Sequence, residues 1–174
     1  MKGALHTGST KRAKDSIKRG TQITLALCLA VFGTAIQARA DCQSLVGSMT
    51  ETIIPPAPND PYGRALGIVN GVLNGASTSV VTSPDGSTSS DVIVTNRGDI
   101  LTGTGAITLT PVPGSSDFTV NVILTITGGS GKYAGATGTL TYQGQANVDA
   151  AGTFHVYATY RGSVCGPNVK ADRN

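Results

Sequence analysis

From residue 118 the chain alternates with period two. Phe118, Val120, Val122, Leu124 and Ile126 fall on one face and Thr119, Asn121 and Thr125 on the other, with Ile123 the exception. A second run repeats the pattern, with Phe154, Val156, Ala158 and Tyr160 opposing Thr153, His155, Tyr157, Thr159 and Arg161. One apolar and one polar face per strand is what an antiparallel sheet over a single core requires. No helical periodicity appears from Leu66 onward; Val, Ile and Thr dominate, and turn residues recur every eight to twelve positions. The predicted strands are Leu66–Leu73, Ala76–Thr82, Asp91–Thr95, Ile100–Thr110, Phe118–Thr127, Thr139–Gln143, Gln145–Asp149 and Thr153–Arg161. Asn74-Gly75, Pro84-Asp85-Gly86, Arg97-Gly98-Asp99, Pro111 to Gly114 and Ala150-Ala151-Gly152 separate them, and Asn-Gly and Asp-Gly suit tight hairpins because both residues tolerate positive φ. Eight short strands joined by hairpins predict an all-β fold, either a closed antiparallel barrel or a sandwich; the barrel leaves no open edge.

Upstream the pattern changes. Ile23 to Ile36 is an unbroken apolar run of fourteen residues, preceded by Lys2, Lys11, Arg12, Lys14, Lys18 and Arg19 and followed by Ala38-Arg39-Ala40. A basic segment, an apolar run too short for a membrane span and a small-x-small site make an N-terminal signal peptide over residues 1–40, cut after Ala40. A lipoprotein site at Cys28 is a weaker reading because the apolar run continues past it, and an uncleaved anchor is the other alternative. Residues 41–62 then read as an N-terminal arm and a Pro-rich linker, since four prolines between Pro55 and Pro61 favour extended surface chain. The barrel domain is placed at 63–166 and a C-terminal tail at 167–174.

Cleavage alters the charge. The whole chain has 13 basic and 10 acidic residues; seven basic residues and one acid lie in residues 1–40, leaving 6 and 9, about −3. The part that folds therefore lacks the basic footprint of a nucleic-acid binder. It keeps two cysteines, Cys42 and Cys165, near the two ends of the domain. In an exported protein they are expected to form one disulfide, pinning the N-terminal arm to the last strand. Secretion or a periplasmic location follows from the leader, with no membrane association after cleavage.

Between two predicted strands lies Gly128-Gly129-Ser130-Gly131-Lys132-Tyr133-Ala134-Gly135-Ala136-Thr137-Gly138, with five glycines among eleven residues and Tyr133 as its only large apolar side chain. Such a run turns sharply or passes close to other backbone. Tyr133 is placed as a plug over the core. The run is not a phosphate loop, which needs GxxxxGK[ST] and a following helix.

With Thr125-Ile126-Thr127 before it, this loop resembles the GGTGKYAGATG signature of the allene oxide cyclase and dirigent group of β-barrels, which includes bacterial secreted relatives. Gly67, Gly71 and Gly75 in the first strand region, Thr102-Gly103-Thr104-Gly105 before Ala106 to Leu109, and a closing strand near Tyr160-Arg161-Gly162 extend the resemblance over Gly63 to Cys165. It implies an eight-stranded antiparallel closed barrel, allene oxide cyclase-like and calycin-like, with an apolar interior, and a homo-oligomer as in the plant members. In the plant cyclases the reaction depends on a glutamate and a polar set inside the barrel; in dirigent proteins acidic and aromatic residues line the pocket. The single glutamate here, Glu51, precedes the Pro-rich segment, outside the matching stretch, so no catalytic carboxylate is carried across.

The chemistry expected from the remaining residues is sparse. His155 is the only histidine after residue 40 and shares a polar face with Thr153 and Tyr157, which suits a surface residue better than a metal ligand. No GxSxG elbow accompanies the serines. Asp85, Asp91 and Asp99 lie near turns, where they either form the turns or bind Ca²⁺ together; turn formation is the simpler reading. No cofactor or metal is expected. Tyr133, Tyr142 and Tyr160, with Phe118 and Phe154, are the candidate ligand-binding set: inside an eight-stranded barrel they either orient one small ligand or fill a solid core. Three functions remain open. One is an exported, disulfide-closed, non-catalytic barrel binding a small apolar ligand or serving as an envelope interaction module. Another is a cyclase- or dirigent-like barrel steering a reactive intermediate. The third is a surface adhesion or matrix protein using its Thr/Ser-rich outer faces.

Overall fold

The computed structural model describes residues 41–56, 58 and 61–170. The predicted leader, its cleavage site and residues 171–174 lie outside them. The described chain is β1 (Asp41–Ile54), β2 (Arg64–Gly71), β3 (Gly75–Val81), β4 (Thr88–Thr95), β5 (Ile100–Pro111), β6 (Phe118–Ser130), a 3-10 turn (Gly131–Tyr133), β7 (Thr137–Val148) and β8 (Phe154–Gly166). Each strand pairs antiparallel with the next, and β8 returns to β1, so the sheet is a closed eight-stranded barrel.

Two elements differ in kind from expectation, and the differences cancel in the strand count; among the remaining boundaries, β4 begins at Thr88 where Asp91 was expected and β8 runs on to Gly166 past Arg161. Residues 41–54 are not an arm but the first strand, paired with β2 from Gly47 to Ile54 and with β8 from Asp41 to Ile53. Alternation is hard to see there because Gln43, Gly47 and Glu51 share the inward parity with Leu45, Met49 and Ile53, while Val46 and Ile54 point out. The two predicted strands 139–143 and 145–149 are one strand, β7. Gly144, read as a break, lies inside its ladder against Ala158; a Cβ there would sit 1.9 Å from the Tyr157 carbonyl oxygen. The face assignments of β6 and β8 hold: Val120, Leu124 and Ile126 are buried, Ile123 is exposed, and Val156, Ala158 and Tyr160 face inward.

The barrel has two unlike ends. Where β1 starts and β8 finishes, Leu45, Leu73, Leu101, Tyr133 and Val164 are fully buried or nearly so and form a solid plug. Cys42 and Cys165 are directly paired in the β1–β8 ladder and joined by a disulfide, with Cα atoms 4.0 Å apart. The Gly-rich loop closes over this end. Gly131 has φ 62°, and a Cβ on it would lie 2.3 Å from the Asp99 carboxylate, so only glycine fits the turn that lets the Lys132 amide donate to Asp99 Oδ1 at 2.8 Å. Lys132 Nζ donates to Gln43 Oε1 at 2.5 Å, tying the loop to β1.

The Tyr160 hydroxyl accepts from the Leu73 amide at 3.0 Å and donates to the Asn70 carbonyl at 3.1 Å, so it satisfies the β2–β3 connection from inside the barrel. Its ring reaches there across Gly47, where any Cβ would lie 2.5 Å from the hydroxyl oxygen and 2.0 Å from the Asn70 carbonyl oxygen. The small residue on β1 and the large one on β8 are thus one packing unit.

Candidate functional site

Toward the opposite end, where β1 finishes and β8 begins, the strands carry smaller or polar inward residues and the interior does not fill. A cavity of about 250 Å³ remains. Its apolar wall comes from Met49, Ile53, Ile93, Val120, Val122, Phe154 and Val156. Tyr62, Gly86 and Leu109 stand at its mouth, and Tyr62 and Leu109 are both exposed.

One wall of the cavity is polar, and it is built by strand parity. On β3, Ser77 and Ser79 face inward; on β4, Ser89 and Asp91 do so; β1 adds Glu51 and β7 adds Tyr142. Ser77 Oγ donates to Glu51 Oε1 at 2.8 Å. Ser79 Oγ donates to Asp91 Oδ1, and Ser89 Oγ donates to Asp91 Oδ2 at 2.6 Å. Gly67 and Gly105 make room for these groups: a Cβ on Gly67 would lie 2.4 Å from the Glu51 side chain, and one on Gly105 2.3 Å from Ser89 Oγ. No Lys, Arg or His lines the cavity among the described residues.

The electrostatics follow from this placement. Burial pushes the Glu51 carboxyl above the ordinary carboxylate range; the Ser77 hydrogen bond pulls it back in part, and the nearby Asp91 adds to the rise. Burial likewise raises Asp91, opposed by its two serine donors. Burial, followed by Asp91, Glu51 and Tyr160, raises the Tyr142 hydroxyl far out of the working range, so it stays a neutral donor. Tyr142 makes no hydrogen bond to the described protein, and Glu51 is bonded through one carboxyl oxygen alone. Among the described residues no sealed side-chain oxygen or nitrogen lacks a partner, so the Tyr142 hydroxyl and the second Glu51 oxygen, both on lining residues, are open to the cavity.

Of the residues singled out from the sequence, Tyr142 and Phe154 line the cavity. Phe118 packs beside Phe154, with ring centroids 5.9 Å apart. Tyr133 and Tyr160 do not line it: Tyr133 plugs the closed end and the Tyr160 hydroxyl is engaged by backbone. Glu51, placed outside the barrel by the sequence reading, lies within it because the supposed arm is β1. Asp91 is likewise no turn residue; it faces inward from the middle of β4. Asp85 does form its turn, accepting from the Ser87 amide and hydroxyl, and Asp99 holds the Gly-rich loop. The three aspartates do not meet, and no cluster of three metal-ligating side chains occurs among the described residues. His155 sits half-exposed outside the barrel, 3.2 Å from Asp149 Oδ2 and 3.3 Å from Thr52 Oγ1.

The missed residues had a partial signal. Ser77 and Ser79 share one parity within a predicted strand, but Ser89 precedes the predicted start of the next strand at Asp91, and β4 begins at Thr88, so the pairing of Ser89 with Asp91 and Ile93 on one face was out of reach. Comparison with protein-family models, with curated proteins and with solved structures finds no match for this chain. The class it defines is that of closed, disulfide-linked antiparallel β-barrels with one plugged end and one hollow end.

Proposed function

We propose that the protein is an exported barrel that binds one small, largely apolar molecule in its hollow end. The observation that carries this reading is the cavity itself, with a mostly apolar lining and a few convergent polar groups, the usual make-up of a small-molecule site. Export is supported by the disulfide, which belongs to oxidising compartments, together with the basic and apolar leader pattern of residues 1–40. No helix among the described residues is long and apolar enough to cross a membrane.

The test is binding by the disulfide-bonded protein. An environment-sensitive apolar fluorophore should bind saturably at one site per chain, and Ala65→Phe, which fills the cavity from β2, should abolish it. Absence of saturable binding by a panel of such probes refutes the reading.

A second reading has one observation in its favour. Glu51 and Asp91 put carboxyl groups inside the barrel, and the resemblance to the cyclase and dirigent group makes an interior acid part of how those barrels steer a reactive intermediate. Cyclisation or coupling of a small reactive intermediate whose product distribution changes in Glu51→Gln or Asp91→Asn, with fluorophore binding retained, would favour it. The adhesion alternative looked to a filled interior, and the cavity leaves it without that support.

A further inference from the structure

The polar wall has a definite sense of donors and acceptors, and this narrows the ligand. The inference rests on the cavity being a ligand site. Ser77, Ser79 and Ser89 spend their hydroxyl protons on the two carboxyl groups. Asp91 accepts a hydrogen bond on each oxygen, which suits the ionised form; Glu51 accepts one, and its second oxygen opens to the cavity. Of two neighbouring buried acids, the better-solvated one ionises first and its charge holds the proton on the other. The groups left facing the ligand are therefore the Glu51 carboxyl O–H and the Tyr142 O–H, both donors. Tyr142 is 5% exposed and its hydroxyl has no hydrogen-bond partner among the described residues, an arrangement that a ligand acceptor completes.

We propose that the cavity selects uncharged apolar molecules carrying a carbonyl oxygen, which accepts hydrogen bonds from the Tyr142 hydroxyl and the Glu51 carboxyl group, and that it rejects the corresponding carboxylates. A carboxylate would bring a further negative charge beside Asp91 in a site with no Lys, Arg or His to balance it. The titratable groups facing Glu51 are Asp91 on β4 and Tyr142 on β7, with Tyr160 deeper on β8 and Tyr62 at the mouth; β2, β3, β5 and β6 contribute none to the cavity.

Three probes of one shape separate the ideas: 2-acetylnaphthalene, 2-ethylnaphthalene and 2-naphthoate, titrated against the disulfide-bonded protein by fluorescence or calorimetry. The ketone is expected to bind about tenfold more tightly than the hydrocarbon below the ionisation of Glu51, the gain from one to two buried hydrogen bonds. Its carbonyl stretch should move to lower frequency on binding, and 2-naphthoate should not bind. The ketone-to-hydrocarbon ratio should fall toward one as pH rises through the ionisation of Glu51, because the donor becomes an acceptor. Glu51→Gln keeps an N–H donor that does not titrate, so its ratio should stay high and become flat with pH. Tyr142→Phe and Glu51→Leu should lower the ratio. Equal binding of ketone and hydrocarbon, or tighter binding of the naphthoate, overturns the carbonyl assignment and leaves the ligand-site reading standing. Failure of all three probes to bind overturns both.

Discussion

Replacing either inward tyrosine of the β7–β8 pair by phenylalanine keeps the ring and removes one oxygen, yet the two changes should differ widely. The rings of Tyr142 and Tyr160 lie 5.9 Å apart in one core, so packing is a shared background. At Tyr160 the oxygen accepts from the Leu73 amide and donates to the Asn70 carbonyl, and Leu73 is fully buried. Tyr160→Phe orphans that amide, which costs about 1–3 kcal/mol, and gives up a second bond worth about 1 kcal/mol. The expected loss is about 2–4 kcal/mol, several degrees or more in Tm for a domain of this size. At Tyr142 the oxygen has no hydrogen-bond partner among the described residues, so Tyr142→Phe should change stability by less than about 0.5 kcal/mol. Urea denaturation of the two variants and the parent, read as a shift in midpoint at unchanged slope, measures both. A loss below about 1 kcal/mol at Tyr160, or equal losses at the two sites, would refute the claim that the Tyr160 hydroxyl secures the β2–β3 connection.

Three further outcomes are expected. Glu51 and Asp91 have pKa values raised in the folded state, so between the unfolded carboxyl range near ~4 and their native values the folded protein binds more protons than the unfolded chain. Their contribution is therefore fully present at low pH and falls as pH rises through the native ionisations; the double variant Glu51→Gln/Asp91→Asn should flatten that decline in urea midpoints, and an unchanged profile counts against buried, proton-retaining carboxyls. The exposed Asp85, lowered to about 2, and Asp149, also lowered, act with the opposite sign at more acid pH. Removing the disulfide as Cys42→Ser/Cys165→Ser releases a loop of sequence separation 123 and should cost roughly 4–5 kcal/mol in the chain-entropy model; the parent should take up no thiol reagent without reductant, and labelling of either cysteine would contradict the pairing. Gly47→Ala should destabilise by at least as much as Tyr160→Phe, because its methyl group meets both the Asn70 carbonyl and the Tyr160 hydroxyl, and in a Tyr160→Phe background its cost should shrink, a coupling that a double-mutant cycle reads.

Much of the architecture was legible from local pattern alone. Period-two alternation at 118–126 and 153–161, hairpin signals such as Asn74-Gly75, and a Cys at each end of the domain depend on neighbours along the chain, so they survive in one dimension. They carried the all-β class and the strand faces but left barrel and sandwich open, the closed eight-stranded barrel being what the resemblance of the Gly-rich loop implied; the cysteine pairing agrees with the structure. Residues 41–54 resisted because a strand that lines both a plug and a polar pocket has no uniform inward face: Gln43 reaches Lys132, Gly47 yields to Tyr160, and Glu51 meets Ser77. The hollow end was equally hidden. Ser77, Ser79, Ser89 and Asp91 look like the wet side of a strand, and they become an interior wall once the sheet closes and places β3 and β4 across from β7. Alternation sorts residues into two faces, but closure alone determines which polar residues share the inside, because that depends on partners far apart in sequence.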